Sequence, residues 1–268
     1  MEILGYSVGM AQLWLLFMLR TAGFIFVAPL LSAKAAPPQL RLLLTFFLTA
    51  IAFTAWAPHA AAPVGQAAAL ATSGMAGFVP AALSELALGM MLGFIVGLIF
   101  VTVQFAGQLV GYQMGFAIVN VLDPQSQSQV SLISEFLFTA VMLAFLNLNL
   151  HHDLIGLWYQ SFDVAPPGSW AIEHFTLPAL TAACDSMFWL ALKIAMPLLA
   201  FLLLADLALG IMARVMPQMN VFIVGIPLKI AVGMLVLSMV VLQFDPVVRQ
   251  STVRFINHAG ELLSTLAG

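Results

Sequence analysis

Long apolar segments separated by short polar stretches dominate the hydrophobic pattern of this chain. Apolar runs cover 13–31, 40–57, 130–150, 187–211 and 221–244. A further run begins after Pro80 and continues into a stretch marked by glycines. About 20 apolar residues are enough for an α-helix to cross the hydrocarbon core of a membrane. The pattern therefore predicts an all-α polytopic membrane protein with about six apolar helical segments.

Glycines recur at four-residue spacing within the longest of these stretches. They are Gly89, Gly93 and Gly97, followed by Gly107, Gly111 and Gly115. Four-residue spacing places each triplet on one helix face, where the missing side chains let another backbone approach closely. The spacing predicts a helix-packing surface.

The same stretch is too long for a single crossing. A continuous helix from Leu86 to Leu122 would be roughly 55 Å long, against a hydrocarbon core of about 30 Å. Its second half is polar and rich in glycine, and non-helical backbone at membrane depth must be buried in protein or line a cavity. Two alternatives follow: a broken or re-entrant element, or a helix that protrudes into water and then turns. Asp123 and Pro124 suit the start of a following helix, as N-cap and first helical residue.

Charged residues interrupt several of the apolar runs. They are Arg20, Lys193, Asp206 and Lys229. A charge at the centre of a spanning helix costs about 2.5 to 3.5 kcal/mol on insertion scales, so each should face a polar partner rather than lipid. We expect a structural ion pair for Arg20, and neighbouring antiparallel helices could pair Asp206 with Lys229. A proton relay through such groups is the alternative.

Composition supports the membrane class and excludes others. The chain is 63% hydrophobic and 7% charged, whereas soluble domains carry about 25% charged residues. Its net charge of −3 offers no basic patch for nucleic acid. The lone Cys184 excludes an intramolecular disulfide, and the adjacent His151, His152 and Asp153 do not converge on a metal site. We expect no metal, no cofactor and, without a phosphate-binding loop or catalytic constellation, no enzymatic activity.

Polar connections and the tail complete the pattern. The segment 151–186 is predicted to be loop-like, with Trp158, Tyr159 and Trp170 suited to a membrane interface. The tail from Asp245 is predicted to be an amphipathic helix on a membrane surface or partner. Its apolar positions at helical spacing are Val253, Ile256, Ala259, Leu263 and Leu266.

Motifs along most of the chain resemble one known family. They are VAPLLSAKAAPPQLRL at 27–42, GYQMG at 111–115, the Asp123–Pro124 pair and MPQMNVFIVGIPLKIAVG at 216–233. In this order they closely resemble the FliR family of flagellar export-gate subunits, which has relatives in type III secretion. One departure is Leu150, where the family commonly has glycine between an Asn and a His pair at a tight turn.

The resemblance implies a core channel subunit of the flagellar or type III protein export gate, in the bacterial inner membrane at the flagellar basal body. It implies assembly with FliP-like and FliQ-like subunits, association with FlhB-like and FlhA-like components, and contact with unfolded protein substrates and membrane lipids. It also implies bent helices packed as hairpins within a hetero-oligomer, much of it above the membrane plane. A P-like portion would cover 1–185, and a Q-like hairpin with the amphipathic tail would cover 186–268.

The family's loop before the Asp-Pro pair plugs the closed channel. Carried onto matching positions, plug or gate roles fall to Gly111, Gln113, Met114, Gly115 and Phe116, with Asp123 and Pro124 ending the loop. Glycine permits tight bends, and Met and Phe can seal an orifice by adaptable packing.

Two other functions fit the residues. An ion-coupled secondary transporter of a small solute would use a coupling relay built from Glu85, Glu135, Lys193, Asp206 and Lys229. A structural scaffold would seed assembly of a complex without contacting its substrates.

Overall fold

The fold is described from a computed structural model, which places residues 2–28, 37–56, 75–116, 131–169, 177–218 and 220–267. Within these ranges the chain forms eight α-helices and no β-strand. The predicted all-α class is thereby confirmed. Leu, Ala and Met favour helices intrinsically, and an apolar environment requires backbone groups to bond within their own helix.

The helices differ greatly in length. In chain order they are α1 (Glu2–Val27), α2 (Pro38–Trp56), α3 (Met75–Gln113), α4 (Leu132–Asn147), α5 (Leu150–Val164), α6 (Leu177–Val215), α7 (Val221–Val241) and α8 (Phe244–Ala267). Helices α3 and α6 contain 39 residues each. At about 1.5 Å per residue, each exceeds a hydrocarbon core of about 30 Å.

Among the helices in the described ranges, five are long and apolar enough to cross a membrane: α1, α2, α3, α6 and α7. Helices α4 and α5 pass that test only as a pair, bent by 74° at their junction, which gives up to 6 spans. The predicted polytopic membrane class is confirmed. At the bend, Asn149 has φ 56°, a left-handed conformation that Asn tolerates. The tight turn is thus made without a glycine at Leu150.

The helices contribute to two compact units. The first comprises Met1–Leu98, His151–Ala183 and Thr252–Gly268, and the second comprises Ile99–Leu150 and Cys184–Ser251. Each unit has its own aromatic core. In the first, the rings of Phe17 and Phe162 stack with centroids 4.3 Å apart. In the second, Phe100 of α3 contacts Phe145 of α4 edge-on at 5.4 Å.

The prediction that 151–186 is loop-like is wrong for most of that segment. Helix α5 occupies its first part and α6 already begins at Leu177. The buried residues of α5 recur at three- and four-residue spacing: Leu150, Leu154, Leu157, Trp158, Ser161 and Phe162. Trp158 is 3% exposed, so it packs in the core of the first unit. The helix is short and its other face is polar, which hides it from a search for long apolar runs. Trp170 lies outside the described residues.

Other predicted boundaries also move. Helix α3 begins at Met75 rather than after Pro80, so this proline lies inside the helix. Pro80 is the sixth residue of α3, just beyond the first four positions, so its missing N–H removes one of the earliest hydrogen bonds within the helix. At the other end α3 stops at Gln113, so it is not the continuous helix to Leu122 that would be too long for a single crossing. Helix α7 stops at Val241, before the predicted Phe244.

The predicted helical tail is confirmed as α8, which begins at Phe244. Its predicted apolar stripe is only partly right, because Val253 is 48% exposed. The buried positions are Phe244, Val248, Ser251, Thr252, Phe255, Ala259, Leu262 and Leu263. Small polar side chains therefore belong to the packed face, which a purely apolar pattern does not reveal.

Candidate functional site

The C-terminal end of α3 is closed by a hydrogen-bonded cap built from the sequence GYQMGF. The N–H of Gly115 donates to Tyr112 O and the N–H of Phe116 donates to Gly111 O, both at 3.1 Å. Gly115 has φ +91°. This pair of bonds with a left-handed glycine is the Schellman motif, which satisfies the last carbonyls of a helix. Gly115 therefore ends the helix and does not extend the face of Gly107 and Gly111.

Met114 packs into a notch on α7. Its side chain is fully buried, and a Cβ placed on Gly233 would lie 2.6 Å from Met114 Cε and 2.8 Å from Sδ. Any larger residue at position 233 would require the Met114 side chain to move. Gly115 lies beside the same helix, because its own added Cβ would lie 3.9 Å from Ile226 Cγ1.

A polar network joins the same helix end to α6 and α7. Gln113 Nε2 donates a hydrogen bond of 2.9 Å to Asp206 Oδ2 on α6. The other carboxylate oxygen, Asp206 Oδ1, forms an ion pair with Lys229 Nζ on α7. The predicted pairing of Asp206 with Lys229 is confirmed. The Asp206 carboxylate thus pairs with Lys229 and also binds the side-chain amide of Gln113, the last residue of α3.

These contacts define a docked segment, residues 111–116, seated on the hairpin formed by α6 and α7. The hairpin is itself closely packed, since a Cβ on Gly225 of α7 would lie 3.1 Å from Leu209 Cδ1 of α6. All of these residues belong to the second unit. The docked segment carries no formal charge, so its attachment depends on packing and on the single amide of Gln113.

A second polar cluster lies in the first unit, around Arg20. Its Nε donates 2.6 Å to Glu85 Oε2, and its two terminal nitrogens donate to Ser161 O at 2.7 Å and Ala165 O at 2.8 Å. Glu85 Oε1 accepts the N–H of Gly168 at 2.9 Å. Arg20 and Glu85 are both fully buried. The expected ion pair for Arg20 is confirmed.

The partner of Arg20 could not be chosen from the sequence. Glu85 lies 65 positions away and was considered only as a member of a transporter relay. In the structure, both Glu85 carboxylate oxygens accept hydrogen bonds, one from Arg20 and one from a backbone N–H. A fully buried charge pair requires such hydrogen-bond partners. The guanidinium also lies 4.6 Å from the ring centroid of Phe162, a cation–π contact.

The glycines of α3 mark two close helix contacts. In the first unit, a Cβ on Gly93 would lie 2.8 Å from Phe24 O, and one on Gly89 would meet the backbone of Arg20. In the second, a Cβ on Gly107 would lie 2.6 Å from Ser134 Cα of α4. Ser134 Oγ donates 2.8 Å to Gln104 O across the same contact. Gly97 is buried.

The remaining candidate residues lie apart from these clusters. Lys193 is exposed and lines a cavity at the start of α8, and Glu135 is exposed on α4. Asp123 and Pro124 fall outside the described residues. Across the described parts of the chain, no group of three His, Cys, Asp or Glu side chains is placed to hold a metal ion.

Sequence reasoning missed the role of α7 as a receptor for Met114. Gly225 and Gly233 lie within the motif that carries the family resemblance, eight residues apart on an apolar helix. Eight residues correspond to about two turns, so both glycines lie near one face. That spacing was the available signal for close packing on this helix.

Comparison with known proteins shows the family to which the chain belongs. The model of the family described as bacterial export proteins, family 1, matches residues 11–254. The flagellar biosynthetic protein FliR of Bacillus subtilis is 35% identical over 229 residues, covering 84% of each chain. FliR of Escherichia coli is 29% identical over 249 residues, covering 93% of this chain and 92% of its own. FliR of Aquifex aeolicus is 31% identical over 223 residues, covering 83% of each.

The helices and their close-packed glycines define a polytopic, all-helical membrane protein. Within that class, the chain belongs to the bacterial export proteins, family 1.

Proposed function

We propose that this chain is the R-type subunit of the flagellar protein export gate in the bacterial inner membrane. In this proposal it assembles with FliP-like and FliQ-like subunits, and FlhB-like and FlhA-like components associate with the complex. The assembly forms a channel for unfolded proteins, and this chain contributes no catalytic step. The relationship to flagellar FliR proteins supports the assignment.

The docked segment is proposed to anchor the plug of the closed channel. The observation that carries this proposal is the seating of Met114 in the notch of Gly233, beside the bond from Gln113 to Asp206. The Schellman cap fixes where α3 stops, so the chain after Phe116 leaves from a defined point. In this interpretation, the segment 117–124 supplies the rest of the plug.

Two kinds of contact would set the strength of the attachment in this proposal. A hydrogen bond to a charged group contributes about 1.5 to 3 kcal/mol, and removing a buried methionine side chain costs about 2 to 5 kcal/mol. Contacts of this size hold a closed conformation but can be broken when a substrate chain binds. The neutral docked segment also offers no fixed charge to trap a passing polypeptide.

The proposal divides the chain by function as well as by structure. The portion 1–185 would serve as the P-like part of the subunit, and 186–268 as a Q-like hairpin with the amphipathic tail. The α6–α7 hairpin would then be the surface against which the plug closes. Glu85, which a transporter relay would use, is already saturated by Arg20 and Gly168, so no observation favours the transporter.

The test compares the buried methionine that fills the notch with an exposed methionine next to Gly233 in the sequence. Met114→Ala removes the buried side chain, and Met234→Ala makes the same change next to Gly233, where the side chain is 50% exposed. Each variant is co-expressed with the P-type and Q-type subunits, and native mass spectrometry establishes the assembled complex. Ion leakage is then measured in liposomes that contain the complex.

Met114→Ala should raise ion conductance, while Met234→Ala should match the wild type, because only Met114 closes the notch. Equal conductance in all three intact complexes would contradict the plug. A chain that forms no complex with P-type and Q-type subunits would contradict the export-gate assignment itself. A crosslinker at position 116 that never captures a stalled export substrate, with controls elsewhere in the gate working, would favour the scaffold.

A further inference from the structure

A cavity of about 200 Å³ opens beside Lys193 in the second unit. Its walls come from α6, from the start of α8 and from the junction between α7 and α8. The lining includes Lys193, Pro197, Gln243, Phe244 and Gln250. Lys193 is charged, and no acidic side chain lines this cavity among the residues described. The site therefore has a positive charge, two amide groups and apolar walls.

Lys193 differs from the other charges in the apolar runs. Arg20 pairs with Glu85, and Lys229 pairs with Asp206. Within the described ranges, no acidic side chain forms a salt bridge with Lys193. Lys193 is exposed and has no salt bridge within the described residues, so its ammonium is free to reach an external anion at the membrane interface.

The register of the hairpin places Lys193 at one end of a membrane-length span. Asp206 pairs with Lys229, and Leu209 lies against Gly225. Along these contacts the residue numbers decrease on α6 while they increase on α7. The two helices are therefore antiparallel. Helix α7 has 21 residues, roughly 32 Å, which matches a hydrocarbon core of about 30 Å. Lys193 and Val240 line the same cavity, so Lys193 is level with the C-terminal end of α7.

The residues around Lys193 follow the order expected at a membrane interface. Trp189, one turn before it on α6, is 70% exposed, and Asp185 is exposed one turn further out. Leu242, next to Gln243, is 86% exposed. Exposed Trp with Lys at the end of an apolar span is typical of the headgroup level, where long basic side chains reach phosphates.

We propose that this cavity binds an anionic phospholipid. The ammonium of Lys193 binds the phosphate, and the amides of Gln243 and Gln250 donate hydrogen bonds to the remaining phosphate and glycerol oxygens. The first part of an acyl chain lies against Pro197 and Phe244. Basic pockets between membrane helices bind acidic headgroups in this way. The lipid site goes beyond the proposed export role and does not depend on it.

The test uses the full chain in lipid nanodiscs, alone and in complex with its P-type and Q-type neighbours. The discs carry a trace of phosphatidylglycerol with a photoactivatable group on the acyl chain. After irradiation, mass spectrometry locates labelled peptides. The variants are Lys193→Gln, Lys193→Arg and, as a control, Arg214→Gln, which removes a charge near the other end of α6.

Labelling of the peptides that line the cavity should fall about fivefold in Lys193→Gln, the factor that one basic residue near an anionic surface contributes. Lys193→Arg should keep it, and Arg214→Gln should leave it unchanged. Equal labelling in wild type and Lys193→Gln would overturn the proposal, as would equal labelling by phosphatidylcholine. Loss of labelling in the complex, with carbodiimide joining Lys193 to a carboxylate of a neighbour, would assign the cavity to a protein partner instead.

Discussion

Gln113 Nε2 donates a 2.9 Å hydrogen bond to Asp206 Oδ2, while the other oxygen of the same carboxylate pairs with Lys229. One side chain of α6 therefore holds both the end of α3 and the adjacent helix α7. Because Asp206 serves two partners, its removal should disturb more than the loss of either partner alone.

Asp206→Ala is expected to destabilise the protein more than Gln113→Ala, since it releases the amide and leaves Lys229 without its counter-ion. The pair Asp206→Ala and Lys229→Ala should be non-additive, with a coupling of about 0.5 to 3 kcal/mol, as residues in one network show. The free energy of unfolding in detergent micelles, measured for both single variants and the double variant, gives the coupling.

Glu135→Ala is the matched control for that cycle, because Glu135 is an exposed carboxylate in the same unit. Its effect should stay within about 0.5 kcal/mol, as for most surface substitutions. Strict additivity of Asp206→Ala and Lys229→Ala would show that their ion pair contributes nothing in the folded protein.

Breaking the buried Arg20–Glu85 pair should be severely destabilising. Arg20→Met or Glu85→Gln alone should cost about 3 to 5 kcal/mol, because each leaves a buried group without its partner. The double variant Arg20→Met with Glu85→Leu should be less destabilising than the two single effects added together. Arg254→Met, at an exposed position of the same unit, provides the control. If Arg20→Met had the same free energy of unfolding as the wild type, the buried network would be contradicted.

Gly89 tests the close approach of α1 and α3. Gly89→Ala should reduce stability and yield, because its Cβ would overlap the backbone of Arg20, and backbone atoms cannot move as a side-chain end can. Gly156→Ala makes the same change in α5 of the same unit, where nothing lies within 4 Å. That control should be neutral or stabilising, since Ala favours helices over Gly. The test is the thermal unfolding temperature of both variants. Equal changes in Gly89→Ala and Gly156→Ala would contradict the close packing of α1 and α3.

Gly115 tests the helix cap. Gly115→Ala must hold an L residue at φ +91°, which should cost about 1 to 2 kcal/mol. Gly210→Ala, within α6 and with open space around it, should instead stabilise by about 0.5 to 1 kcal/mol. Chemical denaturation gives both values. A stabilising Gly115→Ala would mean that α3 continues past Gln113.

The long apolar helices could be predicted from the sequence because hydropathy is a local property. Six apolar segments, the helical tail and the need for a partner at Arg20 all followed from residue type and spacing. Helix α5 was missed for the same reason, because its buried face is completed by Ser161 and by aromatic contacts such as Phe17 with Phe162. Short helices acquire their stability from such tertiary packing.

The sequence by itself determined the membrane class, the family and the neutral, glycine-rich composition of the docked segment, whereas the structure showed that Gly115 ends α3. Tertiary structure alone decided which groups meet: Glu85 with Arg20, Gln113 with Asp206, and Met114 with Gly233. These contacts join residues far apart in the chain, so they depend on how helices are arranged rather than on local pattern. A charged residue in an apolar run is expected to have a partner, because burying it alone costs desolvation energy. Only the packing of the helices decides which residue becomes that partner.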